Sequence, residues 1–446
     1  MEKTLLEKYA PRLEVAESVY AKATGETMDN ARKACVAMVI DNETKFLNEA
    51  FSNSVGTQRS DLGAWKKFCL NLTTVALPTL IAHDLVIVNP MASYSGYITY
   101  VKYTAGSKKG NVKQGEVFND PFRLGKVDPN YTGAAVVEDF KLASGESSKE
   151  IVLAWTPVVE NAFGAGKTVK FIPAAGGEPE FLPVVDGKVT ITEDGRVAYM
   201  YDNERIPQND LPIVNAEIES KPLVAKARRV AVYYSQIAAF QAKQDYGFDL
   251  GDQLAEKACG QLAYEIDTEI TDLLIEHAVE DEDLVWSKAI PTGISKAQHY
   301  EGFSEIVDIA SSKIYGKTKR FAPTYMLCAR NVINVLLFLN GFKAASVAHI
   351  NGPYLAGTLN GLKVFVTPNI EDGKFVLGVN GDDFMSSAAV YAPYMAVVPT
   401  QLLGYADGAM SQGFSTMYAL EMLNADLLIA GRITNVEKAI KVEIQA

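Results

Sequence analysis

The clearest hydrophobic pattern in the chain lies between residues 216 and 277, where a two-residue alternation gives way to a helical one. Ala216-Glu217-Ile218-Glu219-Ser220-Lys221 alternates small or apolar with polar residues, the pattern of a strand with one buried face. Beyond Pro222 the run from Val224 to Tyr234 stays extended and carries three cations, Lys226, Arg228 and Arg229. Asp249 and Asp252 offer carboxylates where a helix begins. Leu254, Ala258, Leu262, Ile266, Ile270 and Leu273/Leu274 then recur at spacings of four and three. The stripe predicts a helix of about 26 residues, roughly 39 Å long at 1.5 Å per residue, against about 11–12 residues for an average globular helix. Such a helix is a beam, and a beam implies a scaffold.

The same reading upstream predicts helices. Leu5, Leu6, Tyr9, Leu13, Ala16, Val19 and Tyr20 recur near helical spacing, broken at Pro11. A second helix is expected over 29–51, with Ala31, Ala34, Cys35, Met38, Val39 and Leu47 on its apolar side, followed by a polar link up to Asp61. This arm shows little sign of its own core and is expected to lie along something else. Residues 77–91 are apolar and β-branched, 96–103 read as a strand, and 105–113 as a flexible Gly/Lys-rich tip. Short strands at 151–155, 168–172, 188–191 and 197–201, separated by Gly, Pro, Asn and Asp turns, predict a β module over 134–212. It interrupts an outgoing strand near 96–103 and a returning one near 216–234, so an inserted domain in a long hairpin is expected. After the beam come a helix at 303–315, a buried strand at 325–328 and a helix at 331–339. A Gly-turned hairpin follows at 354–368, with a strand plus turn at 375–384 and strands near 389–398, 414–418 and 427–434.

Composition narrows the function classes. With 446 residues, 48% of them hydrophobic, the chain can bury a large core and is expected to divide into two or three domains. A net charge of −12 argues against a dedicated nucleic-acid binder, although an acidic surface can lie near DNA without sticking to it. Cys35, Cys69, Cys259 and Cys328 are isolated, as expected of buried thiols in a reducing compartment. Met1-Glu-Lys-Thr leads into no apolar signal region, and the longest apolar stretches are too short or interrupted to span a bilayer. The expectation is a soluble protein made in the cytosol, without membrane partners.

Candidate chemistry is sparse. Gly164-Ala-Gly166-Lys167-Thr168 resembles a fragment of a phosphate-binding loop, but Asn161 stands where the first glycine belongs, and a strand ending in Pro173 follows instead of a helix. A hairpin turn is expected there. His83, His277, His299 and His349 sit at no ligand spacing. Glu280-Asp-Glu-Asp283 lacks the glycine and distal glutamate of a calcium loop and reads as a solvated turn. No serine or Cys/His arrangement suggests a nucleophile. We assign no catalytic, cofactor-binding or metal-ligating residue and expect no cofactor and no enzymatic activity. An adhesin or sugar-binding role for the β module has only Trp155 in its favour.

Three blocks resemble the major capsid proteins of tailed bacteriophages with the HK97 fold, in particular the T4-like myovirus branch. The first is Leu77-Pro-Thr-Leu-Ile-Ala-His-Asp-Leu-Val-Ile-Val-Asn-Pro-Met91 with Gly96-Tyr-Ile, which resembles the start of the family's extended loop. The second runs from Ile218 through Lys226-Ala-Arg228 and Gln241-Ala-Lys-Gln-Asp245-Tyr-Gly-Phe-Asp249 into the long helix. The third comprises Thr318-Lys-Arg, Leu327-Cys-Ala-Arg330-Asn331, Gly357-Thr-Leu-Asn-Gly361, Tyr391-Ala-Pro-Tyr394 and Gly413-Phe-Ser-Thr-Met-Tyr418. The resemblance implies an α+β chain of six parts. They are a helical arm (1–76), the start of the extended loop and peripheral domain (77–133), an inserted β-rich domain (134–212), the returning strand and spine helix (213–285), an axial domain (286–405) and final peripheral strands (406–446). It implies a subunit that self-assembles into the icosahedral head enclosing double-stranded DNA. The partners it implies are further copies in hexameric capsomers, pentamers made by this chain or a separate vertex protein, and scaffold, portal and decoration proteins. The alternative within the fold is an encapsulin-like compartment. Leu5-Leu-Glu7 fits the Ile/Leu-x-Glu context at which the family's maturation protease cuts, so with Met1 present the chain is either unprocessed or the precursor.

Overall fold

A computed structural model describes residues 2–24, 27–52, 70, 73–74, 77, 80–119, 131–133, 135–153, 160–161, 164–165, 168–200, 211–247, 250–345, 352–400, 403–405 and 408–435. Helices and sheets are mixed, giving the α+β class. The chain divides into two compact units, one formed by Met1–Ile98 with Ser220–Ala446 and the other by Thr99–Glu219.

The first unit opens with three helices, α1 (Glu2–Lys8), α2 (Ala10–Thr24) and α3 (Asn30–Ser52). Pro11 falls in the first turn of α2, where its missing N–H costs nothing, so it marks the boundary with α1 instead of kinking a single helix. Tyr9, Leu13, Ala16 and Tyr20 join Cys35, Val36, Val39, Ile40 and Leu47 in the largest hydrophobic core of the molecule. The arm therefore forms part of the body it lies against. The expected link near 52–61 falls almost wholly outside the described residues. Residues 77–91 contribute a single helical turn, α4 (Ala82–Leu85), and a two-residue strand, β1 (Ile87–Val88).

Two long strands, β2 (Ser95–Ala105) and β12 (Val214–Val224), run out and back in one sheet with β3 (Val117–Asn119). Between them the second unit holds a four-stranded antiparallel sheet in the order β4 (Ala135–Phe140), β11 (Gly195–Met200), β8 (Thr168–Pro173) and β9 (Glu180–Pro183). It also holds two strand pairs, β5 (Lys149–Val152) with β10 (Lys188–Ile191), and β6 (Glu160–Asn161) with β7 (Gly164–Ala165). Val136, Ile151, Val169, Phe171, Val189, Ile191, Val197 and Tyr199 form a core of its own. The 105–113 tip, expected to be flexible, is anchored. Lys109 is 3% exposed and its ammonium donates to the Tyr131 carbonyl at 2.9 Å and to that of Gly133. Backbone carbonyls replace the water a buried cation loses, so a lysine that reads as a loop residue becomes an anchor.

In the first unit β13 (Lys226–Ser235) follows β12, then α5 (Gln236–Gln241), a π-helical turn closed by Gly247 in the left-handed region, and the beam, α6 (Leu250–His277). The helix has 28 residues. Asp249 lies outside the described residues, as does the side chain of Asp252. Next comes β14 (Val279–Ser287), which corrects the solvated turn expected at 280–283. β14 is the edge strand of a seven-stranded sheet and pairs in parallel with β23 (Leu428–Thr434). Its carboxylates meet cations: Lys374 and Arg432 at Glu280, and Lys313 at Asp281 and Asp283. Charged residues on an edge strand are a common protection against wrong pairing, and here they masked the strand. The sheet continues through β19 (Lys374–Gly378), β15 (Tyr325–Cys328), β18 (Leu362–Val366), β17 (Tyr354–Leu359) and β16 (Phe342–Ala344), flanked by α7 (Lys296–Thr318) and α8 (Arg330–Leu336). Asn360 and Gly361, both at positive φ, make the two-residue turn between β17 and β18. The remaining sheet runs β1, β20 (Ala389–Pro399), β22 (Ala409–Met422), β13, with β21 (Leu403–Gly404) on β22.

A fragment covering residues 99–219 is expected to melt cooperatively on its own, because it owns a closed apolar cluster. Phe171→Ala, which empties a site 2% exposed, should lower the fragment's unfolding free energy by about 3–5 kcal/mol. Urea denaturation followed by circular dichroism measures both, and a broad, non-cooperative transition in the parent fragment would remove the claim.

Candidate functional site

The polar residues that the structure spends most to position join the arm to the body. Asn42 on α3 donates to the carbonyls of Met91 and Tyr394, at 2.7 and 3.0 Å. Its neighbour Glu43 is 1% exposed; one carboxyl oxygen accepts from Thr73 Oγ1 at 2.6 Å and from the Val397 N–H at 3.3 Å. Val397 lies where the β20–β22 register slips between Met395 and Val398, so the carboxyl takes an N–H that the irregular ladder leaves over. The other oxygen, Oε2, has no partner among the described residues, and neither does the buried Nη1 of Arg12 on α2. Burial pushes Glu43 up to about 8, against the pull of Thr73, Val397, Ala396 and the Arg12 charge. Asp267 on α6 is likewise pushed well above the usual carboxylate range by burial, opposed only by the Ile81 N–H that it accepts at 3.1 Å. Asp41 behaves oppositely. Burial works against its charge, yet hydrogen bonds from Lys45, Lys8 and Tyr9 hold it down at about 2.

A second feature is the two-sided returning strand. On β13 the side chains of Arg228, Val230 and Val232 are half-buried towards α6, and those of Ala227, Arg229, Ala231 and Tyr233 are exposed. Arg228 binds Glu269 at 2.6 Å and Glu265 at 3.4 Å, both on α6. Arg229, one residue on, points the other way, as strand alternation requires, and meets no carboxylate among the described residues. Large apolar side chains crowd the same end of the sheet: Tyr233, Ile237, Phe240, Leu403 and Tyr405 are each at least half exposed. Tyr233 and Leu403 both lie opposite Ser411, which places them on one face. β12 is exposed over most of its length, with Ile218 at 76%. An isolated monomer gains nothing from such faces, and an interface does.

The residues that could carry chemistry are dispersed. Cys35 and Cys259 are buried, and burial raises both thiols to about 12, which leaves no thiolate at neutral pH. Cys328 is buried as well, while Cys69 and His349 lie outside the described residues. His299 stacks on Trp286 and bonds the Ser287 carbonyl, and His277 bonds the Leu273 carbonyl. His83 has a buried, unpartnered Nε2, and burial together with the Arg32 charge lowers it to about 3. No metal-ligating group of three occurs among the described residues. Gly164 and Ala165, expected in a hairpin turn, are instead strand residues of β7 paired with β6, Thr168 opens β8, and Gly166 and Lys167 lie outside the described residues.

Open sheet faces, an ordered arm and a long spine define a structural subunit built to pack against others. The chain belongs to the family of the major capsid protein Gp23, whose family model matches residues 62–441. It is a phage major capsid protein, a structural component of the virion shell. It is similar to the major capsid protein of Enterobacteria phage T4, at 21% identity over 388 residues, 77% of this chain and 73% of that one. The major capsid proteins of Escherichia phage AR1 (20% over 385 residues, 77% and 73%) and Vibrio phage KVP40 (21% over 390 residues, 78% and 74%) are comparably similar. Among solved structures it aligns with the capsid of Myoviridae phage XM1 at 9% identity and a TM-score of 0.34, over 51% of this chain and 81% of that one.

Glu43 predicts a pH dependence. Its folded value of about 8 exceeds the ordinary 4.5, so between those values the folded chain holds a proton that the unfolded chain has released. Stability therefore falls as pH rises from about 4.5 to about 8. Glu43→Gln, which keeps an acceptor for Thr73 and Val397 and carries no charge, should remove that share of the decline. Its melting temperature should gain on the parent progressively up to pH 8. Parallel melting curves across the range would contradict the assignment.

Proposed function

We propose that this subunit assembles with further copies of itself into hexameric capsomers and then into an icosahedral head around double-stranded DNA. The observation that carries this reading is the division of β13 and its sheet into a face sealed by α6 and a face left open, in a chain matched to a capsid family along most of its length. The arm, the β2–β12 hairpin with its β-rich insert, the spine α6 and the seven-stranded sheet are read as the parts in the order implied above. Their assignment to the six residue ranges is part of the proposal. A net charge of −12 suits a container that must hold DNA without binding its sequence. Pentamers, whether built by this chain or by a separate vertex protein, and contacts to scaffold, portal and decoration proteins complete the proposal. The family match favours the virion over an encapsulin-like compartment.

Electron microscopy of the purified full-length chain tests the reading. Capsomers or closed shells are expected, and a monomer persisting across salt and concentration would count against it.

Arg228 and Arg229 then separate folding from assembly. Arg228→Glu places a third carboxylate beside Glu265 and Glu269 and should lower the subunit's melting temperature. Arg229→Glu, on the exposed face, should leave the melt unchanged, since one exposed charge is worth about 0–1 kcal/mol. It should reduce the yield of normal shells, with partial recovery when salt screening is altered. Normal yield from Arg229→Glu would place that face outside the contacts.

A further inference from the structure

Asn-Gly occurs four times in the chain, at Asn340, Asn351, Asn360 and Asn380. The dipeptide is chemically distinctive, because a glycine nitrogen with no side chain to shield it can attack the carboxamide of the asparagine before it. Asn351 lies outside the described residues, and the structure holds the other three differently. Asn380 is tied at both reacting ends. Its Nδ2 donates to the carbonyls of His83 and Val86, its Oδ1 accepts from Ser387 Oγ at 3.1 Å, and the Gly381 N–H donates to the Ser386 carbonyl at 3.0 Å. Asn340 gives its Nδ2 to Glu301 at 2.9 Å.

The third pair is built otherwise. Asn360 and Gly361 are both exposed and form the whole turn between the paired Leu359 and Leu362, with φ of 49° and 93°. The Asn360 side chain makes no hydrogen bond among the described residues. Its backbone N–H reaches the Gly341 carbonyl at 3.4 Å, which holds the residue on its N-terminal side only, and a side chain added at Gly361 would meet nothing within 4 Å. The peptide joining the two residues is therefore free to turn over. Two positive φ values make this a type I′ turn. Turning the central peptide over gives type II′, the other two-residue hairpin turn, so the strands need not part. Glycine accepts the accompanying change of φ without strain. In the second form ψ at the asparagine is about −120°, which swings the Gly361 nitrogen round beside the Asn360 Cβ, within reach of Cγ.

We propose that Asn360-Gly361 is a self-modifying site, at which the subunit converts its own asparagine to aspartate and isoaspartate with water as the co-reactant. The Gly361 nitrogen bonds to Asn360 Cγ, the Cγ–Nδ2 bond breaks, and the displaced amide proton leaves with Nδ2 as ammonia. Water then opens the cyclic imide at one of its two carbonyls. No step is a redox step. Opening on one side leaves aspartate; on the other it routes the main chain through Cβ and lengthens the turn by one carbon. Both products add a negative charge between β17 and β18.

Full-length protein incubated at mildly alkaline pH in water enriched in heavy oxygen, then mapped peptide by peptide with mass spectrometry, is the test. Heavy oxygen should enter at Asn360 about tenfold faster than at Asn380, a barrier difference of about 1.4 kcal/mol. In urea, where neither turn is formed, the two rates should converge. Isoaspartate should be found at Asn360 together with aspartate, because only the imide leads to it. Uptake at Asn360 no faster than at Asn380 in the folded protein, or the same excess in urea, overturns the proposal. Aspartate alone at Asn360 overturns it as well, since direct hydrolysis by water would then account for the change.

Discussion

One stripe of α6 holds two hydrophobic clusters together, and most of the first unit follows from that. Its early residues Ala255, Ala258, Cys259 and Leu262 pack with Val397 and Phe414, and with Val230 and Val232 of β13. Its later residues Ile266, Ile270 and Leu274 enter the main core beneath the arm and the seven-stranded sheet. Small residues in the first half let the sheet approach closely, and branched ones in the second half fill a deeper space. A helix shorter by two turns would reach only one of the clusters. The length that sets α6 apart in the sequence is therefore a packing requirement, and it fixes which face of β13 is spent on the subunit's interior.

The arm is joined to this body by polar groups as much as by apolar ones. α3 buries Arg32, Asp41, Asn42 and Glu43 along with its apolar side. A buried carboxyl with one oxygen unpartnered among the described residues is a cost, borne here because Glu43 also satisfies a backbone N–H at the irregular stretch of β20. Apolar packing alone would leave α3 free to slide or rotate along its groove. The Asn42 and Glu43 bonds hold it at one position, which matters when the same contact must be reproduced in every subunit of a shell.

Elements carried by strong periodicity were legible in the chain. The α6 stripe, the Asn360-Gly361 hairpin and the strand at 325–328 could be read from residues alone. What escaped reading depended on partners far away in sequence. β14 looked like a solvated turn because its carboxylates find Lys313, Lys374 and Arg432 only after the sheet has closed. Lys109 looked mobile because its anchoring carbonyls lie more than twenty residues on. The start of α7 was readable and was missed: Ser295 caps Gln298, an S-x-x-Q signature ahead of the apolar stripe. The open face of β13 was half legible: alternation said that one arginine must point outward, and only the structure showed that it is Arg229.

That split assigns two different jobs to adjacent residues of like charge. Arg228 sits over Tyr418 and between two glutamates of α6, within the fold's own electrostatics. Its loss would expose like charges to one another, so selection on folding alone can hold it in place. Arg229 gives the isolated subunit almost nothing, because an exposed cation with no carboxylate partner among the described residues is well solvated. Tyr233 and Leu403 beside it gain no more from solvent, and a chain selected only for monomer stability would replace them with polar residues. On the proposed reading, a neighbouring subunit accounts for their place on one sheet face. In a shell each small contact recurs at every equivalent interface, so terms too weak to register in a melting curve can set the geometry and reversibility of assembly. Weak repeated contacts also let misplaced subunits leave, whereas a single strong contact would trap them.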